Sequence, residues 1–307
     1  MRFTKVHGLG NDYVLIDTRE ERVADPSLLA RTVSDRHTGI GSDGLILFHP
    51  SSTADVRMEM YNADGSRAQM CGNGLRCVAK YAIEHGPLPE PRASARADVQ
   101  HAAAPLRDGV RPAADGLIRS VAVETDAGVR ACECQIVDGK VQAVRVDMGE
   151  PSLAASDLPS TIALDRIVDH ALQIAGDEYV ITCVSMGNPH AVVFVHDLDA
   201  VDLAVVGPRF EHAPEFPARI NAHFARVDTP NHVTMRTWER GSGITRACGS
   251  GACAVCVAGA VTGRTRRAIT VTLPGGDLSI ERAGNDHVYM TGPAVEVFTG
   301  DWPQRIR

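Results

Sequence analysis

Eight cysteines in 307 residues are too few for a disulfide scaffold, so each thiol needs its own reading. Two of them occupy matching surroundings, Cys71-Gly72-Asn73-Gly74 and Cys248-Gly249-Ser250-Gly251. Each follows a strand pattern and a turn, and each opens a helix pattern. A helix N-terminus presents unpaired N–H groups and the positive end of the helix dipole, which favour a thiolate. The same N–H groups form an anion site, and the flanking glycines let a carboxylate reach the backbone. Two such ends around one bound carboxylate would supply a pair of thiols able to give and take a proton. Zinc is the competing chemistry, invited by Cys253-x-x-Cys256 and Cys132-x-Cys134. The first pair lies inside a helix pattern and the second in a strand pattern, and neither has a partner pair at finger-like spacing. Cys77, Cys253 and Cys256 are therefore expected as core thiols on helices, and Cys132, Cys134 and Cys183 as packing residues in strands.

The elements that must position this pair recur. At a constant offset of 177 positions Gly10-Asn11 matches Gly187-Asn188, Met58 matches Met235, Tyr61 matches Trp238 and Gly86 matches Gly263. The chain reads as two similar halves, with too few copies for a solenoid. Residues 2–18 and 179–195 carry β-branched and apolar side chains and read as strands with turns. Residues 56–61 and 233–238 alternate apolar and polar, as half-buried strands do. The helices are expected over about 73–85 and 250–262, with Gly86 and Gly263 as C-cap glycines. The second helix pattern is apolar all round and must be buried on every side, most simply by strands wrapped around it. Segments 269–273, 278–282 and 287–291 continue the strand-and-turn rhythm. Residues 86–117, rich in Pro, Ala, Arg and Asp, read as a surface insertion in the first half.

Other patterns carry less. Gly39 to Gly44 spells the dinucleotide fingerprint but precedes a strand instead of following one, so it reads as a turn. Arg264, Arg266 and Arg267 follow a helix end, where cations complement the dipole. The net charge of −7 argues against a nucleic-acid or anionic-membrane partner, both of which call for a basic face. The longest weakly polar run, 247–261, is too short to span a bilayer, and the N-terminus has no apolar stretch of signal-peptide length. A cytoplasmic protein of two domains is expected.

The strings around these residues resemble diaminopimelate epimerase. They are Phe3-Thr-Lys-Val-His-Gly-Leu-Gly-Asn-Asp-Tyr13, Gly39-Ile-Gly-Ser-Asp-Gly44, Tyr61-Asn-Ala-Asp-Gly-Ser66 and Met70-Cys-Gly-Asn-Gly-Leu-Arg-Cys77. Gly187-Asn-Pro-His190, Trp238-Glu-Arg-Gly241 and Ala247-Cys-Gly-Ser-Gly-Ala-Cys253 complete the set. The resemblance implies an α/β (α+β) fold of two pseudo-symmetric halves, each a mostly antiparallel curled sheet around a central helix, with the active site in the cleft between them. The boundaries it suggests are 1–149 plus 293–307 for the first half, with the insertion at about 87–117, and 150–292 for the second.

The implied activity is cofactor-independent conversion of LL-diaminopimelate to the meso form, in lysine and peptidoglycan precursor biosynthesis, by a homodimer with no metal. Cys71 and Cys248 would be the catalytic acid and base. The N–H groups of Gly72, Asn73, Gly249 and Ser250 would hold the α-carboxylate. Asn11, Asn62, Asn188 and Asn221 match substrate-binding asparagines, and Glu239 and Arg240 an acid–base pair for ammonium and carboxylate groups. His190 and Glu239 would tune the two thiols. The insertion departs from the family pattern.

Three alternatives stand beside this reading. A sister racemase acting on proline, hydroxyproline or histidine would leave the polar groups for a second zwitterionic head unpaired, at a cost. A silent binding protein would not need both cysteines. A redox protein would join them in a disulfide.

Overall fold

The computed structural model describes residues 1–68, 70–86 and 117–303. Apart from its two end residues, the expected insertion therefore lies outside the described residues. The chain divides into two compact units, Met1–Asp147 with Thr291–Arg307, and Met148–Met290. The architecture is mixed α/β and mostly sheet, with four α-helices among the described residues.

The first unit opens with an antiparallel hairpin of β1 (Arg2–Gly8) and β2 (Asn11–Asp17). Gly8 pairs with Asn11, so only Leu9 and Gly10 turn the chain, at φ 58° and 79°. Two successive positive φ values match the strand twist of a tight hairpin, and glycine takes the second without a Cβ clash. Helix α1 (Pro26–Ser34) starts on Asp25, whose side chain accepts from the Leu28 N–H at 2.9 Å. It carries the chain to β3 (Gly44–Pro50), parallel to β2, so the Gly39–Gly44 segment is a turn before a strand. β4 (Val56–Asn62) is antiparallel to β3, and β5 (Arg67–Ala68) to β4. Helix α2 (Gly72–Glu84) follows, then β6 (Leu117–Thr125), parallel to β4, and the meander β7 (Gly128–Val137) and β8 (Lys140–Asp147).

The second unit repeats this order behind an added strand, β9 (His170–Ile174). The hairpin is β10 (Asp177–Ser185) and β11 (Pro189–Phe194). Helix α3 (Leu203–Glu211) leads to β12 (Asn221–Thr229), parallel to β11. β13 (His232–Glu239) and β14 (Gly243–Thr245) come next, then helix α4 (Gly249–Val261). β15 (Ala268–Leu273) is parallel to β13, and β16 (Gly276–Arg282) is antiparallel to β15. β17 (Val288–Gly292) precedes β18 (Val295–Asp301), which returns to β1 and lies beside it as β9 lies beside β10.

Each central helix is enclosed by strands of its own unit. α2 touches β1, β4, β6, β7 and β8, and α4 touches β10, β11, β12, β15 and β16. The all-apolar sequence of α4 suits that burial. α2 is buried just as deeply while carrying Arg76 and Lys80. Lys80 Nζ meets the Glu84 carboxylate at 2.7 Å and the Val141 carbonyl at 2.9 Å, and Arg76 Nε reaches the Pro293 carbonyl at 3.1 Å. A buried cation needs such partners. Cys77, Cys132, Cys134, Cys183, Cys253 and Cys256 are all buried and none is in a disulfide. The basic cluster after α4 differs from the expectation of dipole capping. Arg264 pairs with Asp169 at 2.9 Å, and Arg267 reaches Asp286 and the Arg282 and Ala283 carbonyls.

Candidate functional site

Both cysteines of the recurring pattern are N-caps in extended backbone, Cys71 of α2 and Cys248 of α4. Each closes the first helical turn through its own carbonyl, which accepts from Leu75 N at 2.9 Å and from Ala252 N at 3.0 Å respectively. Their side chains meet different company.

In the first unit Cys71 Sγ receives the Gly74 N–H at 3.5 Å, long but within reach for sulfur, and lies 3.0 Å from the Tyr13 hydroxyl. Tyr13 stands two residues after Asn11 on β2 and so projects from the same face. Asn11 is held from both ends of its amide. Its Nδ2 donates to Asp43 at 2.7 Å, and its Oδ1 accepts from Tyr13 and, at 2.9 Å, from Asn73 Nδ2. Arg76 Nη2 in turn donates to Asn73 Oδ1 at 2.9 Å. Asn62, at the exposed end of β4, donates to Ser66 Oγ at 2.9 Å. Burial, with the neighbouring Cys71 thiol, pushes the Tyr13 hydroxyl well above the ordinary phenol range.

In the second unit Cys248 is buried, 3 % exposed, with the Ser250 hydroxyl 3.8 Å from its sulfur. Burial pushes its thiol well up, and the Glu239 carboxylate beside it acts in the same direction, against the Gly251 N–H and the Ser250 hydroxyl. This thiol keeps its proton at neutral pH. Glu239 is held by Thr245 Oγ1, and the turn after it by Glu211, which accepts from Trp238 Nε1 at 2.7 Å and Gly241 N at 2.9 Å. Arg240 donates through its backbone to Asn221 Oδ1 at 2.9 Å, while Asn221 Nδ2 donates to the Pro189 carbonyl at 2.8 Å.

Behind these lies a buried line of neutral donors. Thr237 Oγ1 is 2.6 Å from His223 Nδ1, His223 Nε2 is 2.8 Å from His190 Nδ1, and His190 Nε2 is 2.9 Å from Asn188 Oδ1. Burial, reinforced by His223 and Arg240, pushes His190 well below the usual imidazole value, and burial alone takes His223 down to about 3. With both rings neutral, Asn188 Oδ1 can only accept, so His190 carries its hydrogen on Nε2. Each step back follows, and Thr237 donates to His223. Asn188 Nδ2 turns to the Ser250 hydroxyl, a long contact of 3.5 Å.

The structure thus gathers Asn11, Asn73 and Cys71 in the first unit, while the Asn62 side chain is exposed and bonded to Ser66. In the second it gathers Asn188, His190, Asn221, Glu239, Arg240, Cys248 and Ser250. Two members, Tyr13 and His223, received no role from the sequence. Each stands two positions after an assigned asparagine on the same strand, and that period-two spacing was the available signal. Among the described residues no group of three or more metal-ligating side chains converges, and no helix is long and apolar enough to cross a membrane.

Comparison with known proteins gives the same fold and a family. Solved structures of a probable proline racemase from Agrobacterium radiobacter and a hydroxyproline epimerase from Agrobacterium vitis each superpose with a TM-score of 0.66. They are 14% and 16% identical and cover 99% and 98% of this chain, which spans 93% and 91% of theirs, a likeness of fold. Diaminopimelate epimerase of Acetivibrio thermocellus is 48% identical over 302 residues, 98% of each chain. That of Pelotomaculum thermopropionicum is 47% identical over 99% of this chain and 100% of its own. The diaminopimelate epimerase family model matches residues 3–96 and 182–297, and the chain belongs to that family.

Proposed function

We propose that the protein interconverts LL- and meso-diaminopimelate without a cofactor, using Cys71 and Cys248 as the proton-transferring pair. The observation that carries this is the recurrence, in a chain of this family, of a cysteine N-cap on a buried helix reached by the same order of elements in each unit. Inverting an α-carbon needs a base for one face and an acid for the other, and two groups of one kind meet that need in both directions. Cys248, held protonated by burial and Glu239, suits the acid. Cys71, more open at its helix end, suits the thiolate base. The α-proton of an amino acid is a very weak acid, so the charge that develops must meet fixed dipoles. The N–H groups of Gly72, Asn73, Gly249 and Ser250 are the donors we assign to the α-carboxylate.

Asn62, Asn188, Glu239 and Arg240 are the side chains we assign to the ammonium and carboxylate groups of the substrate. Asn11 and Asn221 are bonded to protein at both ends of their amides, which supports a role in shaping the surrounding loops; substrate would reach them by exchanging a partner. His190 acts through Asn188. The product serves lysine and peptidoglycan precursor synthesis, and thiolate chemistry suits the reducing cytoplasm. A homodimer is part of this reading, and exposed Val295 and Val297 on β18 are apolar surface it could cover.

The test is proton NMR in D₂O, with reductant, on the purified protein and LL-diaminopimelate, alongside L-proline, trans-4-hydroxy-L-proline and L-histidine. Loss of the α-proton signal with appearance of the meso isomer is expected. Exchange on another amino acid alone would make the chain a sister racemase. Silence on all four with both thiols free would overturn the epimerase reading.

A further inference from the structure

The Tyr13 hydroxyl has no part in the chemistry above, yet it lies 3.0 Å from Cys71 Sγ in a geometry where either atom can donate. It also donates to Asn11 Oδ1. A phenol carries one hydrogen, so it cannot serve both acceptors at once. Which one it serves depends on the charge of the sulfur. Against a thiol, the S–H can point at the phenol oxygen while the phenol hydrogen stays on Asn11. Against a thiolate, which can only accept, the phenol hydrogen turns to sulfur.

The surroundings make that turn inexpensive. The Asn11 amide cannot flip, because its Nδ2 is fixed on the Asp43 carboxylate, itself paired with Arg36 at 2.7 Å. Its Oδ1 therefore always faces Tyr13. When the phenol hydrogen leaves, that oxygen still accepts from Asn73 Nδ2 at 2.9 Å, and Asn73 is held by Arg76. Neither state leaves the half-buried Asn11 oxygen without a donor, which would otherwise be penalised.

We propose that Tyr13 is a catalytic hydroxyl whose hydrogen bond follows the charge on Cys71, given to the thiolate and withdrawn to Asn11 when the sulfur is protonated. The inference rests on Cys71 acting as an acid–base group. Tyr13 keeps its proton throughout, so no bond to hydrogen is broken at the ring. Burial, helped by the adjacent thiol, keeps it a phenol where a thiol titrates.

A hydrogen bond to a charged acceptor is worth roughly a tenfold change or more in an equilibrium. In full-length Tyr13→Phe, with reductant removed just before labelling, iodoacetamide alkylation of Cys71 is followed by peptide mass spectrometry across pH. The pH midpoint for Cys71 is expected to rise by about one unit or more. The acidic limb of kcat/KM should move with it for the isomer that meets Cys71 as base, and the Cys248 profile should stay in place. Incorporation of 3-fluorotyrosine at position 13, a stronger donor of the same shape, should lower the Cys71 midpoint, and it serves if the phenylalanine variant fails to fold. An unmoved Cys71 midpoint in a folded variant overturns the inference, whatever the turnover. A midpoint that moves in a protein silent on diaminopimelate sustains the Tyr13–Cys71 coupling and overturns the epimerase reading instead.

Discussion

The N-termini of α2 and α4 are the same device in different surroundings. Cys71 is partly open and faces a neutral phenol that can donate to it. Cys248 is buried and faces a carboxylate that can only oppose its ionisation. The first arrangement offers the sulfur a hydrogen-bond donor and the second sets a carboxylate beside it, so two similar halves surround their thiols differently. The lesson is that the backbone frame was repeated while the neighbours that set charge were not. Behind Cys71 the supporting line runs through amides to a buried guanidinium, and behind Cys248 through two neutral imidazoles.

The comparison can be broken most severely at the sulfurs. Cys71→Ser and Cys248→Ser should each lower kcat by about 10²–10⁴, the usual share of a positioned acid or base, in an NMR assay of meso product. A variant retaining full turnover would remove its half from the chemistry.

The equivalent glycines sharpen the contrast. A Cβ on Gly251 would sit 2.3 Å from the His223 ring, whereas one on Gly74 would meet the flexible end of Ile46 at 3.2 Å. Gly251→Ala should therefore cost about 1–3 kcal/mol of stability by overpacking. Gly74→Ala should be nearly neutral, because alanine also recovers roughly 0.5–1 kcal/mol of helix entropy. Urea denaturation of both variants measures the difference, and equal losses would mean that the two helix starts are equally crowded.

Acid should weaken the second unit through its imidazole line. His223 titrates near 3 in the fold against 6.5 in an open chain, so between those values the unfolded state binds more protons and stability falls as pH falls. From pH 7 to pH 5 that loss is roughly 2 kcal/mol, read from urea midpoints, and His223→Gln should flatten the slope. Finally, Glu239→Gln removes the charge that opposes Cys248 ionisation. Its alkylation midpoint should fall, with about tenfold faster labelling at a given pH below it. That sign is opposite to the one expected for Cys71 on loss of Tyr13, and matching signs would end the asymmetry argument.

Much of this was legible in the sequence because local patterns carry it. The Gly-Asn pairs, the strand alternation before each cysteine and the glycines that open each helix mark turns, strands and helix starts through steric rules of a few residues. The all-apolar α4 announced its own burial. Helix α2 did not, because Arg76 and Lys80 look like surface residues until their partners, the Pro293 and Val141 carbonyls, are brought from distant parts of the chain. Tyr13 closes one of the quoted strings and His223 lies two residues after Asn221, but both were silent for the same reason: what a hydroxyl or imidazole does depends on what it touches.

By itself, then, the sequence determined the repeat, the helix starts, the two thiols and the family, all written in short-range spacing and residue type. Only the tertiary structure decided which thiol meets a phenol and which a carboxylate, and the hydrogen placement along the Thr237–His223–His190–Asn188 line. Those outcomes turn on burial and on polar partners far apart in the chain. Desolvation and hydrogen bonding act through space, so no local pattern records them.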